Sequence, residues 1–231
     1  MRNARRPVAL IAIAGAWILA ILALLSLGTW QVERLAWKRN LIAQVATRLA
    51  AKPVPAPIAA GPEDAYRRVT AIGIFKPARD SFVQASTVRG PGWWVITPLQ
   101  TADGRVILIN RGYVPARTAP PPASGIVTVT GLLRMTEPGG GFLRSNDPAA
   151  DRWYSRDVAA IAARRGLGIT APYFIDADAT TATGPVGGLT VVRFSNNHLA
   201  YAITWFILAL MAVGGFIYWF AASRRGAESN E

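Results

Sequence analysis

The most informative absence in this 231-residue chain is cysteine, which does not occur at all. A chain without cysteine cannot form disulfides, thiolate metal sites, iron–sulfur clusters or the covalent attachment of a c-type haem. One histidine and three methionines also provide too few ligands for a copper carrier. Charged residues make up only 16%, against about a quarter in soluble proteins, and 52% are hydrophobic. This composition indicates a membrane-anchored protein.

Two apolar runs without a charge, residues 8–27 and 199–220, define the predicted architecture. Each is long enough to cross a hydrocarbon core of about 30 Å as a helix. Aromatic residues typical of the membrane interface lie near their ends. The first run follows three arginines, so a cleaved signal peptide is the alternative, although its apolar core is longer than such peptides usually have.

The resulting domain prediction has six parts. They are an N-terminal segment (1–7), a first transmembrane helix (8–27), an amphipathic helical continuation (28–52), a β-rich domain (53–197), a second transmembrane helix (198–220) and a tail (221–231). Arg224 and Arg225 follow the second span, whereas only Arg193 closely precedes it, which favours a cytoplasmic C-terminus. With two spans, both termini are then cytoplasmic and the β-rich domain lies across the membrane.

The net charge of +12 raises the question of nucleic-acid binding. The basic residues are scattered singly or in pairs rather than clustered, and a domain held between two spans lies away from nucleic acid. We therefore predict no nucleic-acid partner and expect the basic surface to face anionic membrane lipids or an acidic protein.

Between the spans, alternating apolar residues predict short strands. The predicted strands are Arg68–Phe75, Ser81–Thr87, Trp93–Thr101, Arg105–Val114, Ile126–Met135, Tyr173–Asp176 and Leu189–Phe194, with a hairpin turn at residues 102–104. One helix is predicted over Arg156–Arg165, with Ser155 as its N-cap and Gly166 just past its end. The predicted fold class is an α+β membrane protein, in which two transmembrane helices flank a small antiparallel β domain with one helix.

The sequence offers little support for catalysis. No phosphate-binding loop, dinucleotide-binding glycine pattern or zinc-protease motif is present, and we predict that the protein is not an enzyme. His198 is the residue with two competing interpretations. It is either a haem ligand above the aromatic face of Tyr201 and Trp205, or an interfacial histidine at the start of a helix. Asn110, Arg111 and Gly112 are likewise either a docking site or an ordinary strand end.

Four groups of residues, in order along the chain, resemble a known family. They are Leu27-Gly28-Thr29-Trp30-Gln31, then Asn110-Arg111-Gly112-Tyr113-Val114-Pro115, then Asn146-Asp147-Pro148 with Trp153-Tyr154-Ser155-Arg156-Asp157, and finally Gly187-Gly188 with Asn196-Asn197-His198-Leu199. Together with a span at each end, they resemble the Surfeit locus protein one family, whose members assist the assembly of haem–copper cytochrome c oxidase.

The resemblance implies a non-covalent haem a site with His198 as the iron ligand. The flanking groups would then be Tyr201, Trp205 and Arg193, the last as a partner for the haem propionates. The implied partners are oxidase subunit I and haem a synthase. The seven residues before the first span are too few for a transit peptide, so we expect a bacterial inner-membrane member with a periplasmic domain. The alternative is a haem-free scaffold that holds an assembly intermediate with Trp30, Gln31, Arg34, Asn110, Arg111 and Gly112.

Overall fold

The structure is a computed structural model that describes residues 5–179, 184–190 and 194–228. The chain divides into two compact units, Met1–Ala43 with Arg193–Glu231, and Gln44–Val192. The described residues form three α-helices, α1 (Arg5–Ala50), α2 (Val158–Arg165) and α3 (His198–Glu228). The described strands are β1 (Val54–Pro55), β2 (Arg68–Phe75), β3 (Ser81–Thr87), β4 (Gly90–Thr101), β5 (Val106–Val114), β6 (Ile126–Met135), β7 (Gly140–Gly141), β8 (Arg144–Ser145) and β9 (Thr170–Ala177).

The first unit pairs α1 with α3 in antiparallel orientation, and glycines lie in the contact between the two helices. A β-carbon on Gly28 would lie 2.7 Å from the ring of Phe206, and one on Gly215 would lie 2.9 Å from the ring of Trp17. Small residues of this kind let apolar helices pack in a bilayer. The most apolar windows of α1 and α3 have mean hydropathies of 2.8 and 2.0. The two helices fit a two-pass membrane protein.

The second unit is built on a closed sheet. Its strand order is β1-β2-β6-β9-β5-β4-β3, and an additional pairing of β2 with β4 joins β2, β6, β9, β5 and β4 into a ring. Most neighbours are antiparallel, but β5 and β9 run parallel. Closure leaves β3 as an outer strand on β4 and β1 as a short outer strand on β2.

Two apolar cores stabilise this sheet, and β5 contributes to both. Ile107 and Ile109 point into one core with Leu133 and Tyr173. Leu108, on the opposite face of β5, packs with Ile161 of α2 in the second core. Burial on both faces explains why β5 reads as a continuous apolar run rather than an alternating one.

The structure confirms the α+β fold class and corrects some details. Strands β2, β3 and β6 begin and end at the predicted residues, and the predicted hairpin joins β4 and β5. The parallel pairing of β5 with β9 differs from the antiparallel expectation. The N-cap of α2 is Asp157 rather than Ser155, because Asp157 Oδ1 accepts a hydrogen bond from Ala160 N.

Two further predictions near α2 and the end of the sheet have different outcomes. Helix α2 ends as expected at Gly166, which adopts the left-handed conformation that glycine tolerates best. The predicted strand Leu189–Phe194 falls partly on residues 191–193, which lie outside the described part of the chain, and residues 189, 190 and 194 are not in a strand.

Candidate functional site

The first unit places His198 next to Gln31. Nδ1 of His198, the first residue of α3, lies 2.8 Å from Oε1 of Gln31 on α1. Gln31 is buried, and His198 is half-buried. The contact therefore ties the start of α3 to α1 at the end of both apolar segments.

The chemistry of this contact determines which nitrogen of His198 is available. An amide oxygen only accepts hydrogen bonds, so Nδ1 of His198 must carry the proton and donate it to Gln31. In the neutral ring, Nε2 then keeps its lone pair. Nε2 makes no hydrogen bond to any residue that the structure describes. A histidine that donates through one ring nitrogen and offers the other is the usual arrangement of a metal-ligating imidazole.

The predicted aromatic residues lie beside the helix contact. Ala202 and Ala209, each 2% exposed, share the α1-facing side of α3 with His198. Tyr201 is 54% exposed and Trp205 is half-buried. The rings of Tyr201 and Trp205 therefore belong to an accessible flank of α3, where a flat apolar group can reach them.

A basic group near this end of the helices is Lys38, which is not among the predicted site residues. Its Nζ lies 5.5 Å from the centre of the Phe194 ring, four residues before His198. Lys38 lies seven residues after Gln31 on α1, which puts the two side chains on one helix face. Arg193, the predicted propionate partner, lies outside the described residues, so that assignment stays a prediction.

The three scaffold residues predicted on α1 have different environments. Trp30 is 52% exposed. Arg34 is also exposed, and its guanidinium stacks over the ring of Trp37 at 4.0 Å. Gln31 instead uses its side-chain oxygen on His198. Trp30 and Arg34 are therefore accessible for a partner, whereas Gln31 is engaged within the helix pair.

In the second unit, Asn110 belongs to a buried polar cluster centred on Asp176. Asn110 Nδ2 donates to Asp176 Oδ1 at 2.8 Å, and Arg134 Nη1 and Thr190 Oγ1 each donate to Oδ2 at 2.9 Å. Arg156 Nη1 completes the cluster at 3.2 Å from Oδ1. Asp176 is 3% exposed, and these donors compensate the burial of its charge.

Arg156 links this cluster to the preceding loop. Its Nη2 and Nε donate to the two oxygens of Glu137 at 2.6 and 2.9 Å. Burial alone would lower the pKa of Arg156, but Asp176 and Glu137 outweigh burial and raise it above its ordinary value. Arg156 therefore stays charged, and the cluster holds β5, β6 and β9 together, a structural role for Asn110.

Arg111 also interacts with residues of its own domain. Its Nη2 donates to the carbonyl of Pro120 at 3.0 Å, and its Nη1 lies 3.9 Å from Asp80 Oδ2. The side chains of Arg111 and Asp80 are 11% and 16% exposed. Burial lowers the pKa of Arg111 and raises the pKa of Asp80, each against the attraction of the other.

Gly112 occupies a position that only glycine fits. Its φ is +127°, and a β-carbon there would collide with the main chain of Val186. The adjacent Tyr113 exchanges two main-chain hydrogen bonds of 2.9 Å with Val186. The close approach of these segments accounts for Gly112. Docking of a partner at Asn110, Arg111 and Gly112 stays a prediction.

The comparison with known proteins agrees with the resemblance. The SURF1 family description matches residues 18–210 of the chain. Surfeit locus protein 1 of Rattus norvegicus is 38% identical over 78% of this chain and 66% of its own length. The chain thus spans about two thirds of that relative.

Two other relatives are covered more fully. Surfeit locus protein 1 of Homo sapiens is 34% identical over 91% of this chain and 78% of its own length. The protein of that name from Takifugu rubripes is 33% identical over 84% of this chain and 90% of its own length. The family match therefore covers the sheet domain and part of each apolar helix, and the chain belongs to the SURF1 family.

Proposed function

We propose that this protein assists the assembly of haem–copper cytochrome c oxidase by holding haem a at His198 and passing it to subunit I. Membership in the SURF1 family supports the role in oxidase assembly. Haem a is cargo in this proposal, because the chain receives it from haem a synthase and releases it to the oxidase.

The observation that carries the haem proposal is the hydrogen bond between His198 and Gln31. With Nδ1 donating to Gln31 across 2.8 Å, the lone pair of Nε2 is available to an iron. Gln31 orients the ring and increases the basicity of Nε2. A bound haem a would supply the iron that accepts this axial ligand, and the chain offers it no cysteine.

The surroundings of His198 suit a flat, amphipathic cargo. The exposed ring of Tyr201 and the half-buried ring of Trp205 offer apolar surface on the flank of α3. Lys38 and Arg193 are cations that would attract the two carboxylates of a haem. A single axial ligand without a covalent link favours release over storage, as delivery requires.

The location of the site fits a membrane carrier. His198 begins α3, so its ring lies at the end of the second apolar segment. Haem a is poorly soluble in water, and a site at this depth lets it stay in contact with the bilayer. We propose a bacterial inner membrane, with both termini cytoplasmic and the sheet domain periplasmic. Arg224 and Arg225 after the second span support this orientation.

The second candidate is a haem-free scaffold for an oxidase assembly intermediate. It is favoured by the exposure of Trp30 and Arg34 on α1, which leaves both side chains accessible to another membrane protein. In this case His198 would only connect α3 to α1.

The two functions are distinguished by producing variants of the protein in cells from which the wild-type protein has been removed. We expect His198→Ala to give oxidase that contains subunit I but is deficient in haem a, whereas Trp30→Ala with Arg34→Ala gives oxidase with near-normal haem a content. For a haem-free scaffold we expect the reverse, with near-normal haem a content in oxidase from His198→Ala and a deficiency with Trp30→Ala and Arg34→Ala. The measurement is haem a per subunit I in purified oxidase, with each variant produced at the wild-type level. Normal haem a content with His198→Ala would contradict the proposal.

A further inference from the structure

The outer strand β3 has one edge that is only partly covered. Its inner edge pairs with β4 throughout. On its outer edge, Gln84 N donates to the carbonyl of Trp153 at 2.8 Å. Main-chain groups alternate in direction along a strand, so the N–H and C=O of Ser86 point the same way as those of Gln84. Ser86 is exposed, and its main-chain N–H makes no hydrogen bond to another described residue.

The pairing of Ser86 with β4 supports this orientation. Ser86 lies opposite Pro91, which has no N–H to offer. The carbonyl of Pro91 turns away from β3, since it accepts a hydrogen bond of 2.9 Å from the hydroxyl of Tyr113. The register of β3 on β4 therefore directs the main-chain groups of Ser86 to the open outer edge.

A groove of about 590 Å³ runs beside this open edge. Its lining includes Ser86 together with three aromatic side chains, Trp93, Phe142 and Tyr154. Phe142 is 93% exposed at the tip of the β7–β8 hairpin, and the adjacent Leu143 is 88% exposed. Exposed apolar side chains grouped in this way are typical of protein interaction sites.

The charge of the groove is positive. Arg144 lines it, donates to Gln84 Oε1 at 2.9 Å and lies 5.5 Å from the centre of the Tyr154 ring. Arg117 lies 5.7 Å from the centre of the Trp93 ring, but it is paired with Asp151 Oδ2 at 3.0 Å, so Arg144 carries the positive charge of the groove. No carboxylate occurs among the described residues that line the groove.

We propose that the β3 edge and this groove bind an extended, acidic segment of a partner protein. The segment adds to the sheet at Ser86, places apolar side chains against Trp93, Phe142 and Tyr154, and places carboxylates near Arg144. An open strand edge offers main-chain hydrogen bonds that only a peptide backbone matches, and adjacent pockets select its alternate side chains. All of these residues lie in the second unit, so the proposal does not depend on haem binding at His198.

The test measures binding of a short fluorescent peptide of alternating glutamate and valine residues to the purified full chain by anisotropy. Two matched variants separate the main chain from the side chain of residue 86. Ser86→Pro removes the N–H, whereas Ser86→Ala keeps it. We expect Ser86→Pro to weaken binding about tenfold, the effect of one or two lost hydrogen bonds, and Ser86→Ala to change it little. Arg144→Gln should also weaken binding and reduce its dependence on salt.

A second measurement leaves the protein unchanged. The same peptide with alternate main-chain nitrogens methylated keeps its charge but cannot donate to the β3 edge. We expect it to bind about tenfold more weakly, for the same loss of main-chain hydrogen bonds. Equal affinity for the methylated peptide would overturn the proposal and indicate attraction by charge alone. Absence of saturable binding by the unmodified peptide would also overturn it.

Discussion

The imidazole of His198 on α3 donates its Nδ1 proton to Oε1 of Gln31 on α1 across 2.8 Å. This one contact joins the two membrane-spanning helices and selects the tautomer in which Nε2 is free. It also gives Gln31 a role different from the partner binding that is predicted for it. Gln31 orients the ring of His198, so the affinity for a cargo bound at His198 would depend on both residues.

Replacing Gln31 tests this dependence. Gln31→Leu removes the acceptor for Nδ1, so we expect haem a affinity to fall about 10- to 100-fold, as for other outer partners of metal-bound histidines. Gln31→Glu keeps an acceptor and should preserve binding. The measurement is titration of the purified protein with haem a. Gln44→Leu, which changes an exposed glutamine of the same helix, is the control. Equal affinities for Gln31→Leu and Gln44→Leu would show that Gln31 does not support the ligand.

Gly112 gives a prediction about stability rather than docking. In Gly112→Ala the new β-carbon meets the main chain of Val186, and φ of +127° disfavours alanine. We expect a loss of at least about 3 kcal/mol in the free energy of unfolding, which lowers Tm by about 2–4 °C per kcal/mol. Gly168→Ala, where no atom lies within 4 Å of the added carbon, is the matched control. Equal thermal midpoints for the two variants would contradict the account of Gly112.

Arg111 and Asp80 should be energetically coupled. Each single change, Arg111→Met or Asp80→Leu, leaves a largely buried charge without its partner. The double variant removes both charges. We expect it to be less destabilised than the sum of the single variants, with a coupling of about 1–3 kcal/mol. Chemical unfolding of the four proteins measures this cycle. Additive losses would show that the 3.9 Å pair contributes no coupling.

This cycle also bears on the interpretation of Arg111 variants. A loss of function in Arg111→Ala would support a scaffold only if the protein remained folded, because Arg111 holds its own domain together through Asp80 and Pro120. Trp30 and Arg34, which are exposed, are the better residues for testing a partner surface.

Because Tyr173 is buried, we expect the folded protein to lose stability at alkaline pH. Burial raises its pKa to about 12, and its hydroxyl donates to the carbonyl of Pro57 at 2.6 Å. In the unfolded chain Tyr173 ionises near pH 10, while the folded chain keeps it protonated. Raising the pH from 10 to 12 therefore favours unfolding, and the contribution of Tyr173 is fully present only below pH 10.

Absorbance titration of the phenols checks this prediction. The folded wild type should show one tyrosine that ionises about two pH units late, and Tyr173→Phe should lack that component. Tyr173→Phe should also lose less stability than the wild type between pH 10 and 12. A late component that persists in Tyr173→Phe would assign it to another tyrosine.

The sequence predicts most of the secondary structure because local patterns determine it. Strands β2 and β6 face the core on one side only, and their alternation marks both ends correctly. The tripeptide at residues 102–104 identifies the β4–β5 hairpin by its turn chemistry alone. Helices α1 and α3 follow from apolar runs that few charges interrupt.

The remaining features depend on contacts between distant parts of the chain. The parallel neighbour of β5 is β9, which lies beyond β6 and α2 in the sequence, and no local pattern encodes that choice. For the same reason, the sequence marks Asp176 only as the end of a predicted strand, whereas its carboxylate accepts four hydrogen bonds in the core. Gln31 and His198 are 167 residues apart, so their contact could be inferred only after the helices were paired.

The most direct test of the central claim is the optical spectrum of the detergent-purified chain co-produced with the haem a synthesis enzymes, measured beside His198→Ala. We expect a haem a spectrum in the wild type that is lost in His198→Ala, while both proteins remain folded. A His198→Ala protein that retains haem a at the wild-type stoichiometry would contradict the assignment of His198 as the ligand. Absence of haem a from both proteins would contradict the carrier function and favour the scaffold.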